Sequence, residues 1–418
     1  MLRVVSAHAY DIAADKYFLG DWGDIRSRLA DEGVNFDFDY VGELAHNASG
    51  GTEQLTRYSD QWMFGNTLDL SKLMGWKGGT LQTTITDRNG RNLGADANIG
   101  NNMLLQEVYG RSQTWHLTQF WLNQTLADGS LQIKAGRMTM GEDFANFSCD
   151  FQNLTFCGSQ PGNIVSGYWV NWPTSQWATR LKYQTSQQSY IQIGAYQVNP
   201  RYLDDAYTRH HGLSLDNPSG TTGTMIPLEA AWLPTLDGRP GSYKVGIWYN
   251  TSDGNDLYDD VNRNPRGVTG MDPLRRDGQF GAYVNFQQQM SGAPGERGAT
   301  TFLNISQADR NTARVDGQIS MGAQYLGPFD RSRDAIGAAI GATHNNARYA
   351  SFVRQNNLRT GQRVVAGSGY EYVTEMYYSW SPAPSIYLRP NLQYILHPGG
   401  SDQNKNAFVI GLKSGLTF

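Results

Sequence analysis

Ala407-Phe408-Val409-Ile410-Gly411-Leu412-Lys413-Ser414-Gly415-Leu416-Thr417-Phe418 is the stretch on which the fold turns. Phe408, Ile410, Leu412, Leu416 and Phe418 fall on one face, interrupted only by Ser414. Ala407, Val409, Gly411, Lys413, Gly415 and Thr417 fall on the other. A period of two belongs to a β-strand, whose successive side chains point to opposite sides. One face suits lipid and the other a polar interior, the pattern of a transmembrane barrel strand. An alternating last strand that closes on Phe418, with no tail behind it, resembles the signal read by outer-membrane assembly machinery.

The same period recurs toward the N-terminus. In Val34–Leu44, Phe36, Phe38, Tyr40, Gly42 and Leu44 oppose Asn35, Asp37, Asp39, Val41 and Glu43. Alternation returns at 80–86, 130–135, 189–196, 243–249, 280–286, 319–325, 336–342, 370–380 and 386–396. Soluble sandwiches also have strands with one apolar and one polar face. A pore differs in carrying charges inward, and Glu43, Glu371, Glu375, Arg389 and Gln393 occupy that face.

Composition agrees with a barrel. Mean hydropathy is −0.52, and no apolar run approaches the ~18 residues of a membrane helix. That excludes helical spanning only, because a barrel shows lipid every second residue. Tyr numbers 23 and Gly 47, an excess that suits interfacial aromatic girdles. Charged residues make up 17%, below the roughly 25% of soluble chains. A net charge of −4 speaks against nucleic-acid binding. A secreted all-β lectin or glycosidase is the alternative that composition leaves open.

Three regions are expected. Residues 1–9 are read as a signal-peptide remnant, with Ala7-His8-Ala9 as a small-x-small cleavage site, or as a cloning residue. Residues 10–33 hold a short amphipathic helix, with Ile25 and Leu29 four apart and Gly33 as its stop, packing beneath the barrel on the periplasmic side. Residues 34–418 form one barrel domain, since no linker divides them. Ala127-Asp128-Gly129 and Asn89-Gly90 suit tight turns, whereas 199–227 and 250–276 suit extracellular or constricting loops. Cys149 and Cys157 fit a disulfide in an oxidising compartment, with two free thiols as the alternative.

The ordered segments Gly20–Asp24 (GDWGD), Thr86–Leu93 (TDRNGRNL), Gln106–Trp115 (QEVYGRSQTW), Gly141–Phe151 (GEDFANFSCDF) and Gln152–Gln160 (QNLTFCGSQ) are distinctive together. They continue in Asn171–Ala178 (NWPTSQWA), Leu257–Val261 (LYDDV) and Leu388–Tyr394 (LRPNLQY). In these the chain resembles the carbohydrate-selective outer-membrane porins of the OprB family, from about residue 18 to the end. Asp24 departs from the usual GDWGG, and 202–222 match no family motif.

The resemblance implies an all-β, sixteen-stranded antiparallel transmembrane barrel in the Gram-negative outer membrane, with loops folded inward to narrow it. It implies passive uptake of glucose and related monosaccharides, and often a homotrimer. It carries a constriction onto Arg88, Glu107 and Trp172. The chemistry suits a hexose: Arg offers a fork of donors, a carboxylate accepts from hydroxyls, and an indole covers the C–H face. Arg91, Arg111, Arg137, Arg180 and Arg389 are candidates to extend the donors along the wall, with cross-strand pairing as their other use. Trp121 and Trp169 fit either the channel or a girdle facing lipid headgroups. The partners implied are monosaccharides, outer-membrane lipid with lipopolysaccharide, and the assembly machinery through Phe418.

No nucleophile or metal-ligand spacing stands out, so no catalytic residue, cofactor or metal is expected. Acid pairs such as Glu142-Asp143 and Asp259-Asp260 are adjacent and point apart, unlike glycosidase carboxyls. The stronger rival is an arginine-lined anion or carboxylate channel, which Glu107 would oppose. An adhesin with a closed barrel is the third reading.

Overall fold

The computed structural model describes residues 16–293 and 296–418. The expectations for residues 1–9 lie outside them. The first half of the barrel comprises β1 (Val34–Ser49), β2 (Thr56–Asp69), β3 (Gly79–Gly90), β4 (Trp115–Leu126), β5 (Leu131–Met138), β6 (Gln176–Ser186), β7 (Ser189–Val198) and β8 (Gly223–Trp232). The second comprises β9 (Arg239–Asn250), β10 (Gln279–Gln289), β11 (Gly298–Ala308), β12 (Val315–Leu326), β13 (Ala335–Asn345), β14 (Tyr370–Ala383), β15 (Ile386–Leu396) and β16 (Ala407–Thr417).

Each strand pairs antiparallel with its neighbours in sequence, and β16 returns to β1 with Lys413 opposite Glu43. The result is a closed barrel of 16 antiparallel strands. Closure leaves no edge of unpaired backbone, which hydrocarbon could not satisfy.

Burial along the strands is inverted relative to a water-soluble protein. Leu44, Ile340, Met376, Leu392, Ile410 and Leu412 are exposed on the outside, while Glu43, Glu375, Gln393 and Lys413 are buried inside. An apolar exterior over a polar interior is what a lipid-embedded barrel requires. At the end carrying Phe418, outward rings cluster: Trp62 lies 5.8 Å from Phe418, and Phe38 lies 5.6 Å from Phe64.

Connections at that end are short, such as Ala127–Gly129. The other end carries the longest ones, 91–114, 139–175, 199–222, 251–278 and 346–369, as is usual of the extracellular side. The Asn89-Gly90 expectation needs correction. β3 runs through both residues, pairing them with Asp60 and Ser59. Gly90 has φ +116 and lies so close to Tyr58 that an added Cβ would sit 2.3 Å from its carbonyl oxygen, so no other residue suits the site.

Helix α1 (Ile25–Glu32) ends on Gly33 in the left-handed region. It docks not by the Ile25–Leu29 stripe but by Arg26, the buried residue of the helix. Arg26 donates to Phe418 O at 2.6 Å and Phe36 O at 2.5 Å. Carbonyls at the barrel rim need donors, and a guanidinium serves two at once.

Helix α2 (Ala347–Thr360) stands on an extracellular loop that the sequence pattern had not singled out. Asn346 caps it by accepting from Arg348 N, and Gly361 closes it at φ 74. The expected long loop after β9 contains a ribbon, Gly254–Asp260 against Pro273–Arg276.

Candidate functional site

Two connections, residues 91–114 and 139–175, fold into the barrel. Their backbone needs partners there, and the inward carboxylates supply them. Glu375 accepts from Gln152 N and Asn153 N, both at 2.8 Å. Glu371 accepts from Asn102 N and Gly399 N at 2.7 Å. Glu229 accepts from Ala145 N at 2.8 Å, and Glu43 from Val108 N at 3.2 Å. Glu43, Glu371 and Glu375 therefore anchor loops and do not line an open pore. Apolar clusters seal the rest, one around Phe144, Trp169 and Trp248 and another around Leu105, Phe151 and Phe156. Trp169 is fully buried against Trp248 and Tyr283, so it is not a girdle residue.

Between these loops and the wall of β1–β3, β15 and β16 remains a cavity of about 600 Å³. Arg88, Glu107, Trp172 and Arg111 line it, together with Cys149 and Cys157. The two cysteines are joined as a disulfide. Arg88 reaches in from β3. Its Nε donates to Gln61 Oε1 at 2.8 Å, and one terminal nitrogen lies 3.3 Å from Glu107 O and 3.4 Å from Tyr109 O. The other terminal nitrogen is 3.9 Å from the Glu107 carboxylate. Trp172 Nε1 donates to the same Gln61 oxygen at 3.0 Å. Gln61 thus couples the arginine to the indole.

Glu107 is held from behind by Lys413, whose Nζ lies 2.9 Å from Glu107 Oε1 and 3.2 Å from Glu43 Oε1. The same ammonium donates to the carbonyls of Cys149 at 2.9 Å and Phe151 at 3.1 Å. A charge with 2% exposure is tolerable only with such a full shell. Gln61 and Lys413 were not among the expected site residues. Lys413 did leave a signal, as the single charge on the inward face of the last strand.

Arg111 stands apart. Among the described residues its guanidinium forms no hydrogen bond or ion pair, yet the residue lines the cavity. Burial lowers its pKa, with the nearby Asp205 carboxylate opposing that shift.

Two expected residues lie elsewhere. Arg137, on β5, does not line this cavity: it donates to Ser214 O at 3.1 Å and Ser175 O at 3.0 Å and stacks 4.7 Å from the Tyr202 ring. Arg389, on β15, donates to Asp150 O and lies between the Tyr377 and Tyr387 rings at 4.7 and 4.8 Å. Burial of Asp150 is outweighed by Arg389 and a bond from Gln324, so its carboxyl sits below the usual range. Arg180 pairs with Asp143 at 3.1 Å and Arg91 with Asp96 at 2.8 Å. Arg137, Arg180 and Arg389 hold loops to the wall, whereas Arg91 and Asp96 both belong to 91–114.

A lipid-facing barrel of 16 strands, narrowed midway by loops pinned to its wall, defines the class of outer-membrane porins. The carbohydrate-selective porin, OprB family, matches residues 53–418, and the chain belongs to that family. It is 41% identical to Porin B of Pseudomonas aeruginosa, covering 99% of this chain and 94% of that protein. It is 33% identical to a putative porin, QuiX, of Acinetobacter baylyi over 96% of this chain and 93% of that one. The high-pH structure of Pseudomonas putida OprB superposes with a TM-score of 0.93 at 41% identity, covering 98% of this chain and all of that one. The protein is a carbohydrate-selective porin of the Gram-negative outer membrane.

Proposed function

We propose that the cavity is the sugar-selective aperture and that its permeants are glucose and related monosaccharides, moving passively without any catalysed step. The observation that supports this reading is the joint placement of Arg88, Glu107 and Trp172 around one cavity. A neutral polyol uses both signs of partner, donors from guanidinium and acceptors from carboxylate, and rests its C–H face on an indole. An anion gains nothing from Glu107. Of the arginines expected here, Arg111 joins this set; Arg137 and Arg389 act on the loops that shape it.

A pore must release what it binds, so affinity belongs near the millimolar range, about 4 kcal/mol. In planar bilayers, glucose should reduce single-channel current in that range while succinate and phosphate do not. Block by succinate at lower concentration than glucose would establish the carboxylate channel instead. As partners we propose lipid with lipopolysaccharide around the wall, the outer-membrane assembly machinery acting on the 407–418 strand, and a homotrimer. Crosslinking in intact membranes tests the last: a ladder ending at the monomer would reject it.

A further inference from the structure

Arg111, Ser112 and Gln113 have φ values of 60°, 71° and 50°. Three consecutive side-chain-bearing residues in the left-handed region are costly, and none is the Gly, Asn or Asp that tolerates it. The conformation needs an outside hold. Extracellular residues 199–222 provide one. The Ser112 hydroxyl is buried and donates to Asp205 Oδ1 at 2.7 Å, with Thr208 Oγ1 2.5 Å away. Arg209 Nε donates to Ser112 O at 3.2 Å. The Arg111 carbonyl is bonded to His116 Nε2 at 2.7 Å, and Leu117 N donates to Gly212 O at 2.6 Å. Among the described residues every hydrogen bond of this grip falls on backbone or on Ser112, and Arg111, whose guanidinium takes no hydrogen bond or ion pair, lines the cavity.

We propose that Ser112, gripped by Asp205 and Thr208, is a positioning residue that aims Arg111 into the sugar path, so that an extracellular loop sets affinity at the aperture. The inference rests on the reading of that aperture as a sugar site. It also gives the loop a role in selectivity, since Asp205, Thr208 and Arg209 all belong to 199–222.

The test is a cycle of variants in bilayers, read as the glucose concentration that half-blocks the current. Arg111→Ala should weaken block roughly tenfold, the loss of one charged donor. Ser112→Ala and Asp205→Ala should each weaken it severalfold, and adding either to Arg111→Ala should do nothing more. Ser112→Gly should recover part of the affinity lost in Ser112→Ala, because glycine removes the left-handed cost at the middle of the three residues. Additive losses in the double variants, or equal losses for the Ala and Gly variants, would overturn the clamp. No change in Arg111→Ala would instead overturn Arg111 as a sugar contact.

Discussion

Gln61 accepts from Arg88 and Trp172 with one oxygen, so these side chains are a unit and not independent contacts. Losing Arg88 has two consequences. It deletes a donor facing the sugar, and it frees the carbonyls of Glu107 and Tyr109 that the guanidinium holds. Arg88→Ala should therefore weaken glucose block about tenfold and raise open-channel conductance together, leaving the barrel folded. Conductance unchanged beside weakened block would mean that Arg88 does not hold residues 107–109. Lys413 offers a second residue-level contrast. Lys413→Met leaves Glu43 buried without a cation and Glu107 with Arg88 alone at 3.9 Å, a loss of about 3–5 kcal/mol. The released negative charge should turn the channel toward cations, seen as a shift in reversal potential under a salt gradient. Lys413→Arg keeps the charge and should keep the selectivity.

The inward loop 139–175 is the element on which the aperture depends, and side chains of the wall hold it along its length. Glu375 takes two of its backbone amides, and Arg389 takes the Asp150 carbonyl. Each such hydrogen bond to a charged group is worth about 1.5–3 kcal/mol. Glu375→Ala should give a wider, noisier channel, with new protease cuts within 139–175 and no change in barrel melting on gels. Alternation revealed which side chains point inward, and β1, β13, β15 and β16 were legible for that reason. It could not reveal what fills the interior, so Glu43, Glu371 and Glu375 read as pore lining although they are hooks for loops. Strand β8 was hidden by Pro227 within it, a residue that ordinarily argues against a strand. In β2, outward Asp60 and Asn66 and inward Met63 blur the contrast between faces. Arg88, Glu107 and Trp172 were reached by their motifs, whereas Gln61 joins them only through folding.

At the scale of the molecule, the barrel is rigid through closure while its extracellular crown is held by charge. Loop 251–278 and α2 meet around Asp256, which pairs with Arg276 and Arg348, both at 2.7 Å, while Asp259 stands 3.4 and 3.1 Å from the same guanidinium groups. Arg266 adds a bond to Asp256 O at 2.9 Å and lies over the Phe352 ring. Burial raises the Asp256 pKa, but backbone amides of Asp259 and Tyr258 and the two guanidinium groups outweigh it, leaving the carboxyl below its ordinary 3.8. Asp260 is lowered likewise, its burial outweighed by Thr269 and the amides of Asn264 and Asn262. A depressed carboxyl stabilises the fold fully above its ordinary value and ceases to do so as pH falls through its lowered one. The crown should thus be closed at neutral pH and loosen below about pH 4, before the wall yields. Hydrogen exchange checks this: amides of 251–278 and 347–360 should lose protection in acid while those of β14–β16 keep theirs. Asp256→Asn should bring part of that loss to neutral pH, about 1 kcal/mol after screening by water. Exchange rising in wall and crown together would show that no separate crown exists.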